Sequence, residues 1–177
     1  MRPPCGIAML PPDFERLYAE HGPALFAFLL SSTRNEADTR DALQELFIKL
    51  ARQPELLNGV RQERAFLLRL GHNLAIDLIR RQAARAKKHG ELVADRLDTF
   101  APSADPDEQA FRQALAAALG ELPLEQRVVV HLKLWEHQTF EEIAQILDIP
   151  LNTAASRYRY GLDKLRERLR PLYEEIK

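Results

Sequence analysis

The sequence predicts an all-α chain built as two small helical domains joined by a flexible linker. Three observations carry this. Apolar residues recur at helical spacing in nearly every periodic segment, and no run shows the strict alternation of a half-buried strand. One stretch, Asp98 to Asp107, breaks the pattern with two prolines and three acids, which block helix continuation and favour extension. In order, Asp13 follows Pro11 and Pro12 and is placed to cap a helix through about Glu20. His21-Gly22-Pro23 reads as a break before a second apolar helix, Ala24 to Leu30. Asn35 to Arg52 sets Leu43, Leu46, Phe47 and Leu50 at helical spacing, and Glu63 to about Arg85 does the same with Leu67, Leu70, Leu74 and Leu78. Beyond the linker, helices are expected near Glu108 to Leu119, Leu124 to Glu136, Phe140 to Leu147 and Asn152 to Arg170. Val128, Val129 and Val130 are β-branched but read as a buried helix turn. The expected organisation is a tail over 1–9, a first domain over 10–90, a linker over 91–107 and a second domain over 108–177.

Composition bounds the function. With 177 residues, 46% apolar and 29% charged, the chain can bury a core and keep a solvated surface. No stretch approaches 18 consecutive apolar residues, so no membrane insertion is expected. Met1 to Leu10 lacks the apolar run of a signal peptide, so the expected location is cytoplasmic. Cys5 is the single cysteine and reads as part of an N-terminal tail, with neither an internal disulfide nor a cysteine-based metal site open to it. The net charge is −1, but its distribution is uneven. Arg61 to Gly90 holds the bases Arg61, Arg64, Arg69, Arg80, Arg81, Arg85, Lys87 and Lys88 against Glu63 and Asp77. Pro150 to Arg170 is also basic, while Glu91 to Gln126 is acidic. Local charge governs phosphate attraction, so two basic patches flanking an acidic middle point to nucleic acid.

The most informative local pattern runs from Thr139 to Tyr160 and reads as a helix-turn-helix. Thr139 and Glu142 have capping-box spacing, in which the hydroxyl accepts from the Glu142 amide and the carboxylate accepts from the Thr139 amide. Ile143, Ala144 and Leu147 are expected to be buried. Asp148-Ile149-Pro150 makes the turn, and Asn152 or a near neighbour opens the second helix. On that helix Ala154, Tyr158, Leu162, Leu165 and Leu169 face the core. Thr153, Ser156, Arg157, Tyr160 and Lys164 fall on another face, where a recognition helix meets base edges.

Read in order, three blocks resemble sigma factors of the extracytoplasmic-function (ECF) group of the sigma-70 family. Asp38 to Leu50 looks like the region-two helix of that family, with Asp41, Gln44, Glu45 and Lys49 projecting from one side. Ala65 to Arg81 looks like its −10 reading segment. Leu122 to Arg166 looks like its region-four domain. The resemblance implies a region 2 helical bundle and a region 4 helix-turn-helix domain. It implies core RNA polymerase as a partner through its β′ clamp and β flap, promoter DNA as the second, an anti-sigma factor as a possible third, and no cofactor. Under it Asp41, Gln44, Glu45 and Lys49 dock on the clamp. Asn73, Asp77, Arg80 and Arg81 meet the −10 element, with a structural bond from Asp77 to a neighbouring Arg as the alternative. Thr153, Ser156, Arg157, Tyr160 and Lys164 meet the −35 element. The chain departs from the family pattern at Phe66, Leu68 and His72, where Trp, Tyr and Arg are usual, and at Ala155 and Tyr160, where bases are common.

Two rival readings are weaker. A helix-turn-helix regulator acting without core polymerase predicts a sensory or dimerisation domain in the first half, where a basic helix and a charged helix stand instead. An enzyme would need a phosphate loop or paired ligands. The chain has seven glycines and no Gly-rich loop, and none of His21, His72, His89, His131 and His137 forms an i, i+4 pair. Each reads as a surface or packing histidine, and no metal site and no catalysis are expected.

Overall fold

The computed structural model describes residues 14–89 and 106–175. Cys5, the cap expected at Asp13, the tail over 1–9 and the linker up to residue 105 lie outside the described residues. Among the described residues seven α-helices follow one another: α1 Phe14–Thr33, α2 Glu36–Arg52, α3 Glu63–His89, α4 Pro106–Gly120, α5 Leu124–Leu134, α6 Phe140–Leu147 and α7 Leu151–Glu175. A short 3-10 helix, Pro54–Leu57, leads out of α2. No strand occurs among the described residues, as the periodicity predicts.

The expected break at His21-Gly22-Pro23 does not occur, and α1 runs through Pro23. Proline removes one backbone donor and costs about 3 kcal/mol in a helix interior. The compensation is a buried stripe that crosses it without losing register: Leu17, His21, Leu25, Phe28 and Leu29. Burying each large apolar chain contributes about 2 kcal/mol, so tertiary packing outweighs the local breaker. α1 stops at Arg34, whose φ of 55° puts it in the left-handed region, with its amide returning to the Leu30 carbonyl at 2.9 Å. Asn35 then caps α2 by accepting from the Asp38 amide at 3.1 Å.

α1, α2 and α3 pack together around Leu17, Phe28, Leu29, Leu46, Leu50 and Leu67. α4, α5, α6 and α7 form the second group, with Ala118, Leu122, Val130, Leu165 and Leu169 in a cluster of their own. Val128, Val129 and Val130 are buried within α5, as expected. Gly161 lets α7 approach α5: a Cβ there would stand 2.7 Å from Val130 Cγ2. On α6 the buried pair is Ile143 and Ile146, while Ala144 and Leu147 are half-buried, so the inward face is rotated from the expected one. Leu68, one of the departures from the family pattern, is fully buried.

The two groups are not separate. α1 packs on α5 and α3 on α6, and the larger core cluster runs continuously from Leu17 and Leu67 to Val128, Leu132, Ile143 and Ala154. Two arginines cross this seam in opposite directions. Arg34 donates to the Gly120 carbonyl at the end of α4, at 2.5 Å. Arg127, buried on α5, donates to the Ser31 carbonyl at 2.5 Å and the Ser32 carbonyl at 3.4 Å near the end of α1, and to Gly120 and Leu122 at 3.2 and 3.0 Å. Each cation thus meets the carbonyl end of a helix from the other half, where both orphan acceptors and helix dipole favour it.

Candidate nucleic-acid interface

α2 turns Asp41, Gln44, Glu45 and Lys49 to solvent while Leu43, Leu46 and Leu50 are buried beneath them. The expected charged face is therefore one surface. It also contains Ile48, half exposed, and it is bordered by Tyr18, whose ring packs edge-on against Phe47 at 5.2 Å between centroids. Sequence reasoning missed Ile48, although it stands three and four positions after Glu45 and Gln44 and shares their face.

On α3, Asn73, Asp77, Arg80 and Arg81 are all exposed, at spacings of four, three and one, and Arg69 continues the line toward the start of the helix. Buried Leu67, Leu68, Leu74 and Ala75 fix that orientation. Among the described residues, Asp77, Arg80 and Arg81 make no side-chain hydrogen bond or ion pair, so the alternative of a bond from Asp77 to an arginine is not realised. Two unengaged guanidiniums beside an exposed amide can hold phosphates and meet a base edge. His72 points the other way, into the seam. Burial, and then the Arg157 charge facing it from α7, push its pKa down to about 4, so it is neutral at pH 7.

The helix-turn-helix forms as expected. The Thr139 amide donates to Glu142 Oε2 at 2.8 Å and the Glu142 amide to Thr139 Oγ1 at 3.2 Å, and these bonds hold the Glu142 carboxyl below its ordinary range. α6 ends at Asp148, in the left-handed region at φ 53°. On α7 Tyr160 and Lys164 are exposed, while Thr153, Ser156 and Arg157 are half-buried. Ser156 Oγ donates back to the Thr153 carbonyl at 3.0 Å, Arg157 reaches Glu125 at 3.4 Å, and Arg159 lies over the Tyr160 ring at 5.2 Å. Ala154, Leu165 and Leu169 are buried, and Tyr158 and Leu162 half-buried, on the opposite side.

Near these faces the seam carries one further charged contact. Arg64 of α3 reaches Glu136, just past α5, at 2.7 Å, and His131 Nε2 stands 3.7 Å from the same carboxylate. Burial pushes the Glu136 carboxyl up, but the nearby His131 and the hydrogen bond and charge of Arg64 outweigh it and leave the group below its ordinary range. The structure thus brings the midpoint of α3 and the first turns of α7 close together.

Comparison with known proteins matches this layout. Residues 17–85 match the Sigma-70 region 2 family, and residues 112–165 match the Sigma-70 region 4 family. The chain is 34% identical over 166 residues to the RNA polymerase sigma factor CarQ of Myxococcus xanthus, covering 92% of each. It is 27% identical over 168 residues to the ECF RNA polymerase sigma factor SigX of Bacillus subtilis, covering 92% of this chain and 87% of SigX. Its fold is similar to that of CnrH solved in complex with the cytosolic domain of CnrY, at a TM-score of 0.63 and 27% identity, covering 89% of this chain and 88% of CnrH. No helix among the described residues is long and apolar enough to cross a membrane. With both family regions in order and a relative aligned over nearly its whole length, the chain belongs to the ECF group of the sigma-70 family.

Proposed function

We propose that this chain is a transcription initiation factor that binds core RNA polymerase and directs it to promoters by recognising −10 and −35 elements. The observation that carries the reading is the pairing, in one chain, of the exposed Asn73, Asp77, Arg80 and Arg81 face with a capped helix-turn-helix. In this reading residues 10–90 form the region 2 domain, 91–107 the linker and 108–177 the region 4 domain. Asp41, Gln44, Glu45 and Lys49, with Ile48 among them, dock on the β′ clamp, and the second domain docks on the β flap. Thr153, Ser156, Arg157, Tyr160 and Lys164 face the −35 major groove. The protein acts by binding, without covalent chemistry, in the cytoplasm. A partner of anti-sigma type belongs to the reading because the sigma factor RpoE, solved in complex with the anti-sigma factor NepR from Bartonella quintana, has a fold similar to this one.

Run-off transcription with purified core polymerase over a promoter library tests it. Stimulation at a subset of promoters is the expected result. No stimulation at any promoter refutes it, and sequence-specific DNA binding that persists without polymerase would favour the independent regulator.

A further inference from the structure

A cavity of about 400 Å³ opens at the seam, with His21, Glu63 and Arg64 on one wall and Gln138 and Glu142 on the other. Gln62 and Glu142 face each other across it at 3.4 Å. On the first wall three metal-ligating side chains converge: Glu20 and His21 from α1, and Glu63, the first residue of α3. His21 Nε2 lies 3.9 Å from Glu20 Oε1 and 3.6 Å from Glu63 Oε2. His21 is 6% exposed, yet neither ring nitrogen makes a hydrogen bond. Buried imidazole nitrogens left idle are costly, at about 1–3 kcal/mol for each unsatisfied group.

The distances suit a metal. Ligands held about 2.0–2.2 Å from a tetrahedral zinc ion stand about 3.3–3.6 Å from one another. The observed separations are within a small side-chain rotation of that, and Glu20, whose side chain is 56% exposed, is free to make it. The carboxylates are already gathered around a cation. Arg16 donates to Glu20 at 2.9 Å and to both oxygens of Glu63 at 2.9 and 3.1 Å. Two carboxylates share the Arg16 guanidinium; of the other cations lining the cavity, Arg64 is committed to Glu136 and Arg61 stands beside it. The Arg16 side chain is 46% exposed.

We propose that Glu20, His21 and Glu63 form a binding site for a divalent transition metal of the zinc type, with Arg16 as the resident cation that the metal displaces. One imidazole with two carboxylates favours zinc over calcium or magnesium, which take oxygen ligands. Three protein ligands leave a fourth position open to the cavity. Glu63 lies 42 residues from His21 in the chain, so a search for paired ligands along one helix does not find the set.

The test is zinc titration of the full chain by isothermal calorimetry, with cobalt substituted for an absorption spectrum of the site. Glu20→Gln changes one exposed carboxylate, and weaker binding by about tenfold or more is expected, the range seen when a metal site loses a supporting group. Arg16→Gln removes the competing cation, and tighter binding is expected. Adventitious uptake by Cys5, His89 or His137 responds to neither change. Identical isotherms for the wild type and both variants, or no saturable zinc uptake, would overturn the site. Circular dichroism melts of the two variants confirm that each compared protein is folded.

Discussion

Replacing Arg127 by alanine tests whether the seam between the halves contributes to stability as its geometry implies. The guanidinium is buried and donates to four backbone carbonyls, two at the end of α1 and two at and just past the end of α4. Hydrogen bonds from a charged donor contribute about 1.5–3 kcal/mol each. The two shortest, to Ser31 at 2.5 Å and Leu122 at 3.0 Å, dominate. Alanine removes the desolvation cost of the cation but leaves those acceptors without partners in a dry seam. The balance resembles the loss of one member of a buried charged contact, and a destabilisation of about 3 kcal/mol is expected. For a chain of this size that corresponds to a fall of about 6–12 °C in melting temperature. Urea denaturation followed by circular dichroism measures it. A double-mutant cycle with Arg34→Ala adds specificity, because both arginines donate to the Gly120 carbonyl, and groups sharing a partner couple by about 0.5 kcal/mol or more. A loss below about 1 kcal/mol for Arg127→Ala, or strictly additive single changes, would refute the reasoning.

Three further outcomes are expected. Substituting Arg80 and Arg81 together by alanine should reduce the slope of log affinity against log salt by about 2 on promoter DNA, since each phosphate contact contributes about 0.9; equal slopes in fluorescence-anisotropy titrations would remove both from the DNA face. Arg157→Ala should weaken binding to a preferred −35 sequence by about 1–3 kcal/mol and narrow the spread across −35 variants; an unchanged ranking in a competition assay would count against it. His72 has its folded pKa depressed from 6.5 to about 4, so folding excludes a proton that the unfolded chain takes up. Stability from this group is complete above pH 6.5 and is lost as pH falls through that value toward 4, by about 3 kcal/mol at most. His72→Gln should flatten that limb of the stability curve, and identical limbs in urea melts from pH 7 to pH 4 would refute the assignment.

The helices were legible because their information is local. Thr139 and Glu142 stand three apart, and both capping bonds form as that spacing implies. The exposed line Asn73, Asp77, Arg80 and Arg81 follows from leucines that repeat on the opposite side of α3. What was not legible is what depends on distant partners. Pro23 breaks a helix by its own chemistry, and only the packing of Leu17, Leu25 and Phe28 against other elements reverses that. The seam rests on Arg34 meeting Gly120 and Arg127 meeting Ser31, pairs separated by 86 and 96 residues. A side chain that bonds a carbonyl leaves no trace in the identity of the residue it bonds. His21 illustrates the same limit: no histidine or cysteine stands beside it at ligand spacing, and its neighbour Glu63 arrives from another helix.

The reciprocal placement of Arg34 and Arg127 has a consequence for dissection of the chain. The end of α1 takes its cation from Arg127 of the other half, the last carbonyl of α4 is shared by Arg34 of the first half and Arg127 of its own, and the apolar cluster between the halves belongs to both. Cutting the chain in two would bare the Ser31 and Ser32 carbonyls and strand Arg34 in the first piece, and leave Arg127 of the second holding only Gly120 and Leu122. The halves are complementary parts of one cooperative unit, so heat should disassemble them in a single step, and recombined pieces should recognise each other.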